Sequence, residues 1–160
     1  MDDVPTLRID GRPILATAHR GVTMTYVPVE GVPAPRRDDN WRLRPSSRSA
    51  IPAGMLGVRI SGGHISRPPA LVIGQVVDVD CTVPLTAPGA VAEGATPHPA
   101  VPGSVLWFDA AGRRTTDAEA AVETRWLPRL RLVVVDFSVG GGDWSATSDW
   151  SFTLEQEMPA

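Results

Sequence analysis

The sequence predicts an all-β protein, a single β-sandwich or barrel-like domain carrying a long Pro/Arg-rich arm and at most one short helix. Three observations carry this. Sixteen prolines and fifteen glycines among 160 residues punctuate the chain too often for long helices, yet an apolar fraction of 42% suffices for a packed core. Several short stretches alternate apolar and polar residues, the period of a half-buried strand. The length suits one core better than two, so residues 1–160 are read as a single domain.

Taken in order, "TLRIDGRPIL" reads as two short strands joined at Asp10-Gly11, a dipeptide that accepts the positive φ of a tight hairpin. In "RGVTMTYVPV", Val22, Met24 and Tyr26 share one face of a strand and Thr23, Thr25 and Val27 the other. Residues 31–54, "GVPAPRRDDNWRLRPSSRSAIPAG", read as the extended arm, with Trp41 and Leu43 as its apolar anchors. Loops of this length inside a compact domain tend to be functional or to pack on partners. "MLGVRIS" returns to a strand, with Leu56, Val58 and Ile60 on one side and Arg59 on the other.

The clearest internal strand is "QVVDVDCTVPL", in which Val77, Val79, Cys81, Val83 and Leu85 alternate with Asp78, Asp80, Thr82 and Pro84. Proline cannot donate to a ladder, so this strand should end at an edge or leave its sheet near Pro84. Residues 86–103, rich in Ala, Pro and Gly, read as a flexible or extended loop. "SVLWFD" and "RLRLVVVDFSV" are further strands, and the near-continuous apolar run of the second predicts a central strand covered on both faces. Between them, "TTDAEAAVETRWL" offers Thr116 as a cap for the one short helix, which Pro128 would terminate. At the end of the chain Trp150, Phe152 and Leu154 share the phase of a closing strand that also includes Trp144 and Met158, while Ser151, Thr153, Glu155 and Glu157 form its polar, acidic face.

Composition narrows the function classes. No apolar run approaches the length needed to span a bilayer, and "MDDVPTLRIDG" lacks the basic start and apolar stretch of a secretory signal. The expectation is a soluble chain made in the cytoplasm, without membrane contact. The single cysteine, Cys81, leaves no disulfide framework and no paired-cysteine metal site. All fifteen basic residues are arginine, the side chain that forks onto carboxylates and phosphates. The charge is also uneven: residues 31–70 hold seven arginines against two aspartates, a net of +5, and residues 71–160 hold twelve acids against five arginines, a net of −7. Such a division suits either self-association, the arm of one subunit lying on the body of the next, or neutralisation within one chain.

Catalytic constellations are not evident. His19, His64 and His98 are the only histidines, and nothing in the spacing brings one to Cys81, whose apolar strand face keeps a thiol protonated and inert. Asp78 and Asp80 read as a solvated strand face. "SGGH" and "VGGGDW" lack the strand-to-helix setting and the lysine of a phosphate loop. The expectation is therefore no enzyme, no cofactor and no metal. The arginines with Trp41 could touch nucleic acid, but no nucleic-acid-binding motif accompanies them, and such contact is expected only by proximity.

Four stretches, in order, resemble a family of small virion structural proteins of long-tailed bacteriophages. Arg20-Gly21-Val22-Thr23-Met24-Thr25-Tyr26 with Pro28 resembles that family's R-G-L-T-Q-T-Y-x-P segment, and Gly74-Gln75-Val76-Val77-Asp78-Val79-Asp80-Cys81 its P-G-Q-V-V-T-V-D-C strand, with Ile73 in the proline's place. Pro128-Arg129-Leu130-Arg131-Leu132 resembles a late R-P-x-L-x-M strand, with Leu127 replacing the arginine. Asp143-Trp144-Ser145-Ala146 and Trp150-Ser151-Phe152-Thr153-Leu154-Glu155 resemble its closing E-W-x-A-x-x-x-W-S-L-x-L-E-E. Residues 31–54 and 86–103 match poorly.

The resemblance implies a non-enzymatic virion subunit assembled in the host cytoplasm, in the tail or its tip and baseplate, forming a ring with copies of itself and other virion proteins. Repeating a heterologous contact around a ring demands two different complementary surfaces. The residues expected to supply them are Arg36, Arg37, Trp41, Arg42, Arg44 and Arg48 on the arm and Glu155 and Glu157 on the closing strand. A capsid decoration protein is the alternative within the same class. The alternative from another class is a receptor- or polysaccharide-binding module using exposed Trp41, Trp107 or Trp126.

Overall fold

The computed structural model describes residues 6–14, 22–28, 56–63, 69–141 and 148–156, and in these nearly all regular structure is β. At the N-terminus, Asp10 and Gly11 take left-handed backbone, φ 49° and 73°, and fold β1 (Arg8–Ile9) against β2 (Arg12–Pro13) in the expected hairpin. Asp10 also ties this hairpin to the body: its carboxylate accepts the Asp78 N–H at 2.8 Å, and its own N–H donates to the Asp78 carbonyl at 2.8 Å.

The large sheet adds β3 (Val22–Pro28), β4 (Leu56–Gly62), β5 (Val76–Asp80), β10 (Arg129–Gly141) and β11 (Ser148–Gln156). Its seven strands lie in the order β2-β1-β5-β10-β11-β4-β3, every neighbouring pair antiparallel. Register places the predicted apolar positions opposite one another. Val134, Leu154, Val58 and Tyr26 form one row across four strands, and Phe137, Phe152, Ile60 and Met24 form the next. The buried core is built from Met24, Val58, Ile60, Val134, Phe152 and Leu154 of these rows, with Tyr26 packed against them, together with Leu7, Ile9, Leu56, Val77, Val79, Cys81, Leu130, Leu132 and Trp150, while Phe137 at the end of its row is exposed. Each inward side chain thus has an apolar neighbour on the adjacent strand, the unit that stabilises a sheet.

The sheet is strongly curled. In a flat sheet β3 and β5 would stand four spacings apart, about 19 Å. Instead the Tyr26 hydroxyl on β3 donates to the carbonyl of Val83, just beyond β5, at 2.5 Å. Val83 and Leu85 then pack against the core from the open side. This is the barrel-like arrangement expected from the sequence.

A second sheet of four antiparallel strands grows out of the first, in the order β6-β9-β7-β8. It consists of β6 (Leu85–Pro88), β7 (Leu106–Phe108), β8 (Arg114–Thr115) and β9 (Glu123–Trp126). The strand expected over residues 75–85 is shorter than predicted: β5 ends at Asp80, residues 81–84 leave the large sheet before Pro84 is reached, and the chain resumes as the edge strand β6, while β9 continues through Leu127 and Pro128 into β10. The junction is sealed by Cys81 N–H to Pro128 O at 2.9 Å and Arg129 N–H to Pro99 O at 2.7 Å.

Three expectations need correction. The short helix placed in residues 115–127 is a turn followed by β9. There the Asp117 carboxylate accepts the Glu119 N–H at 2.9 Å, and Thr124 and Trp126 are buried as alternate residues of a strand paired on both sides. A lone amphipathic turn could bury less. Within residues 86–103, Thr86–Pro88 belong to β6, and the rest is an ordered loop containing the 3-10 turn Glu93–Ala95. Finally, β10 is central by pairing but is not covered on both faces, since Val135, Phe137 and Val139 are exposed. A β-bulge at Val135, between the Val134 and Asp136 registers, shifts the phase of the strand, and its far half runs beyond the core.

Candidate assembly surfaces

The arm candidates Arg36, Arg37, Trp41, Arg42, Arg44 and Arg48, together with Glu157, lie outside the described residues, as do Trp144, His19 and His64. Glu155 is described. It sits on β11 between Val133 of β10 and Gly57 of β4, on the outer face of the large sheet and half-buried, with Thr153 and Ser151 beside it on the same face. Of the polar, acidic face expected of the closing strand, Ser151, Thr153 and Glu155 thus lie on the outer face in the middle of the sheet.

Elsewhere the outer face carries its own charge pairing. Arg8 and Arg129 flank Asp80 from the two neighbouring strands, and Arg129 forks onto it with Nε and Nη2 at 2.6 and 3.1 Å. The Asp80 carboxylate holds the Arg129 guanidinium above its ordinary pKa. Arg131 stands opposite Asp78. The two aspartates are thus a strand face neutralised by arginines, and this half-exposed pairing is worth little in stability.

At the other end of the same face, Thr23, Ser61, Ser151 and Ser138 line up across β3, β4, β11 and β10. With Gly63, Gly140 and Asp149 they line an open depression of about 470 Å³. Ser138 and Ser151 share a hydrogen bond of 2.7 Å. Sequence reasoning did not find this row, because it needs the register of four strands at once.

The titratable groups inside the fold are engaged in structure. Burial pushes the Cys81 thiol up to about 12 and the Tyr26 hydroxyl upward as well, so both stay protonated. Asp109 caps the turn from β7 to β8 by accepting the Ala111 and Arg113 N–H groups, each at 2.9 Å, and these bonds with the Arg113 guanidinium hold its carboxyl below the usual range. His98, expected in a loop, is in the loop but buried. Among the described residues no cluster of His, Cys, Asp and Glu could hold a metal ion.

Two of the tryptophans considered for a carbohydrate platform are not available as one. Trp126 is 1% exposed, buried at the end of β9 opposite Leu85 of β6. Trp107 is half-buried and donates its indole N–H to Val91 O at 2.9 Å. Among the described residues no helix is long and apolar enough to cross a membrane. Comparison of the chain with family models, with curated proteins and with solved structures finds no match.

Proposed function

We propose that this chain is a structural subunit of a bacteriophage virion, in the tail or its tip and baseplate, and that it assembles with copies of itself without performing catalysis. The motif order described above motivates the virion reading. The observation that carries the assembly reading is the position of Glu155: an acid near the C-terminus of the chain, on the outer face of the sheet, directly opposite Val133 and Gly57 and not opposite an arginine. It is presented where the arginines of a neighbouring copy's residues 31–54 can fork onto it, a charge-assisted contact with directional specificity. The engagement of Cys81, Tyr26 and the Asp80–Arg129 pair in packing and pairing agrees with a building block.

The test is a charge swap. Glu155→Arg abolishes assembly of an otherwise folded chain, and combining it with Arg36→Glu and Arg37→Glu restores assembly. Unimpaired assembly of Glu155→Arg contradicts the reading. The carbohydrate-module alternative loses Trp107 and Trp126 as exposed platforms and is not favoured.

A further inference from the structure

We infer that two copies of this chain pair through the open edge of β10, strand against strand in antiparallel register about Val139, and this inference does not rest on the virion reading. The backbone defines the edge. Val134 exchanges hydrogen bonds with the segment before β5, its N–H to Gln75 O at 2.9 Å and its carbonyl from Gly74 N–H at 2.7 Å. Beyond it, among the described residues, β10 has a partner on the β11 side only. The bulge at Val135 resets the alternation, and the Phe137 N–H points away from β11, where it meets its neighbour's Asp136 carboxylate at 2.9 Å. Phe137, Val139 and Gly141 therefore direct their N–H and C=O groups outward, while Ser138 and Gly140 bond to β11.

Such an edge is what another strand recognises, and natural proteins usually blunt it with charge, proline or a cover. Phe137–Gly141 contains no charge and no proline; Asp136 guards only its first N–H. The apolar surface follows the same line. Of the exposed large apolar residues among those described, all but Val122 lie on β10 from its bulge onward or on the turn and strand start paired to it. Val72 and Ile73 are 70% and 62% exposed at the tip of that turn, Val139 is 57% exposed and Phe137 38%. The turn is rigidly built, with Gln75 N–H to Val72 O at 2.9 Å and Val72 N–H to the Gln75 side chain at 3.1 Å, so little ordering opposes its burial.

The sequence of the edge selects the occupant. In antiparallel pairing about Val139, Val139 faces Val139 of the second copy and Phe137 faces Gly141. The Phe137 ring stays stacked on Phe152 of its own β11, at 4.4 Å between ring centroids, and Gly141 opposite it brings no side chain into the seam. The three outward residues of each copy exchange all their bonds, and the carboxylate of Asp136 releases Phe137 N–H to the partner's carbonyl. The contact is isologous, so it makes pairs and is separate from the heterologous contact of a ring.

Sedimentation equilibrium of the full chain over a wide concentration range tests this. The native chain shows a dimer among its associating species, and Val139→Lys loses that dimer while its circular dichroism and melting remain native, because Val139 is solvent-facing. In a second variant, Val139→Cys, mild oxidation gives a disulfide-linked dimer, since directly opposed residues of such a pair stand about 5.5 Å apart at Cα. Ser138→Cys, one residue out of register with itself, cross-links far less. Native Cys81 is buried and does not compete. A native chain that stays monomeric throughout overturns the inference, whether or not the edge accepts a strand from another protein. A Val139→Lys chain that still dimerises, or equal cross-linking at 138 and 139, also overturns it.

Discussion

Gly57 shows how a single residue sets the spacing of a sheet. A β-carbon there would meet Val27 O at 2.7 Å and Val27 Cγ2 at 2.9 Å, backbone as well as side chain, so β3 and β4 approach as closely as they do only because none is present. Gly57→Ala is expected to lower stability by about 1–3 kcal/mol, the scale of overpacking, as measured by urea unfolding. Trp150 is the opposite case: buried on β11 and packed edge-on against Phe152 at 5.8 Å between ring centroids. Truncating it to alanine is expected to cost about 3 kcal/mol or more, and a loss of a few tenths would place it outside the core. Cys81 gives a chemical readout. Its thiol is raised from 9.0 to about 12, so the stability linked to its protonated form is complete below pH 9 and declines as pH rises toward 12. A thiol reagent at neutral pH should label the native chain only as fast as it unfolds. The burial of Trp150 and Cys81 was legible in the sequence because each sits in phase with apolar neighbours two residues away. The need for glycine at position 57 was not, since it depends on how close a non-adjacent segment comes.

At the scale of elements, the alternating stretches before Cys81 and after Pro128 were legible for the same reason, whereas the end of β5 at Asp80, ahead of Pro84, was not. The helix expected near residue 118 failed because helix propensity, even that of alanine and glutamate, is a small term per residue, and pairing β9 with both β6 and β7 outweighs it. The order of the 89–105 loop was equally hidden. It depends on Thr124, a fully buried hydroxyl that donates to Gly89 O at 2.6 Å and accepts from Val91 N–H at 2.8 Å. Thr124→Val keeps the shape of the side chain and leaves both backbone groups without that partner. It is expected to cost about 1–3 kcal/mol and to raise amide exchange selectively at Val91, with no change in the large sheet. The bulge at Val135 was invisible in the run of valines, and with it the open edge of β10.

At the scale of the whole molecule, the described residues form a curled sheet with a smaller sheet extended from two of its strands, and the charge of the sequence is divided along the chain. That division was read directly from the sequence. The placement of Glu155 on an outer face required the register of β11 against β4 and β10. Of the residues expected to meet across a subunit boundary, the structure positions this one, and it is the surface against which the arginines of residues 36–48 are to be tested. The most direct measurement is native mass spectrometry of the full chain beside a chain lacking residues 32–50. The full chain is expected as a closed oligomer of more than two copies, and the shortened chain, folded by circular dichroism, as no more than the β10-paired dimer. A shortened chain that keeps the oligomer size of the full chain would contradict the proposal that arginine arm and acidic face hold the assembly together.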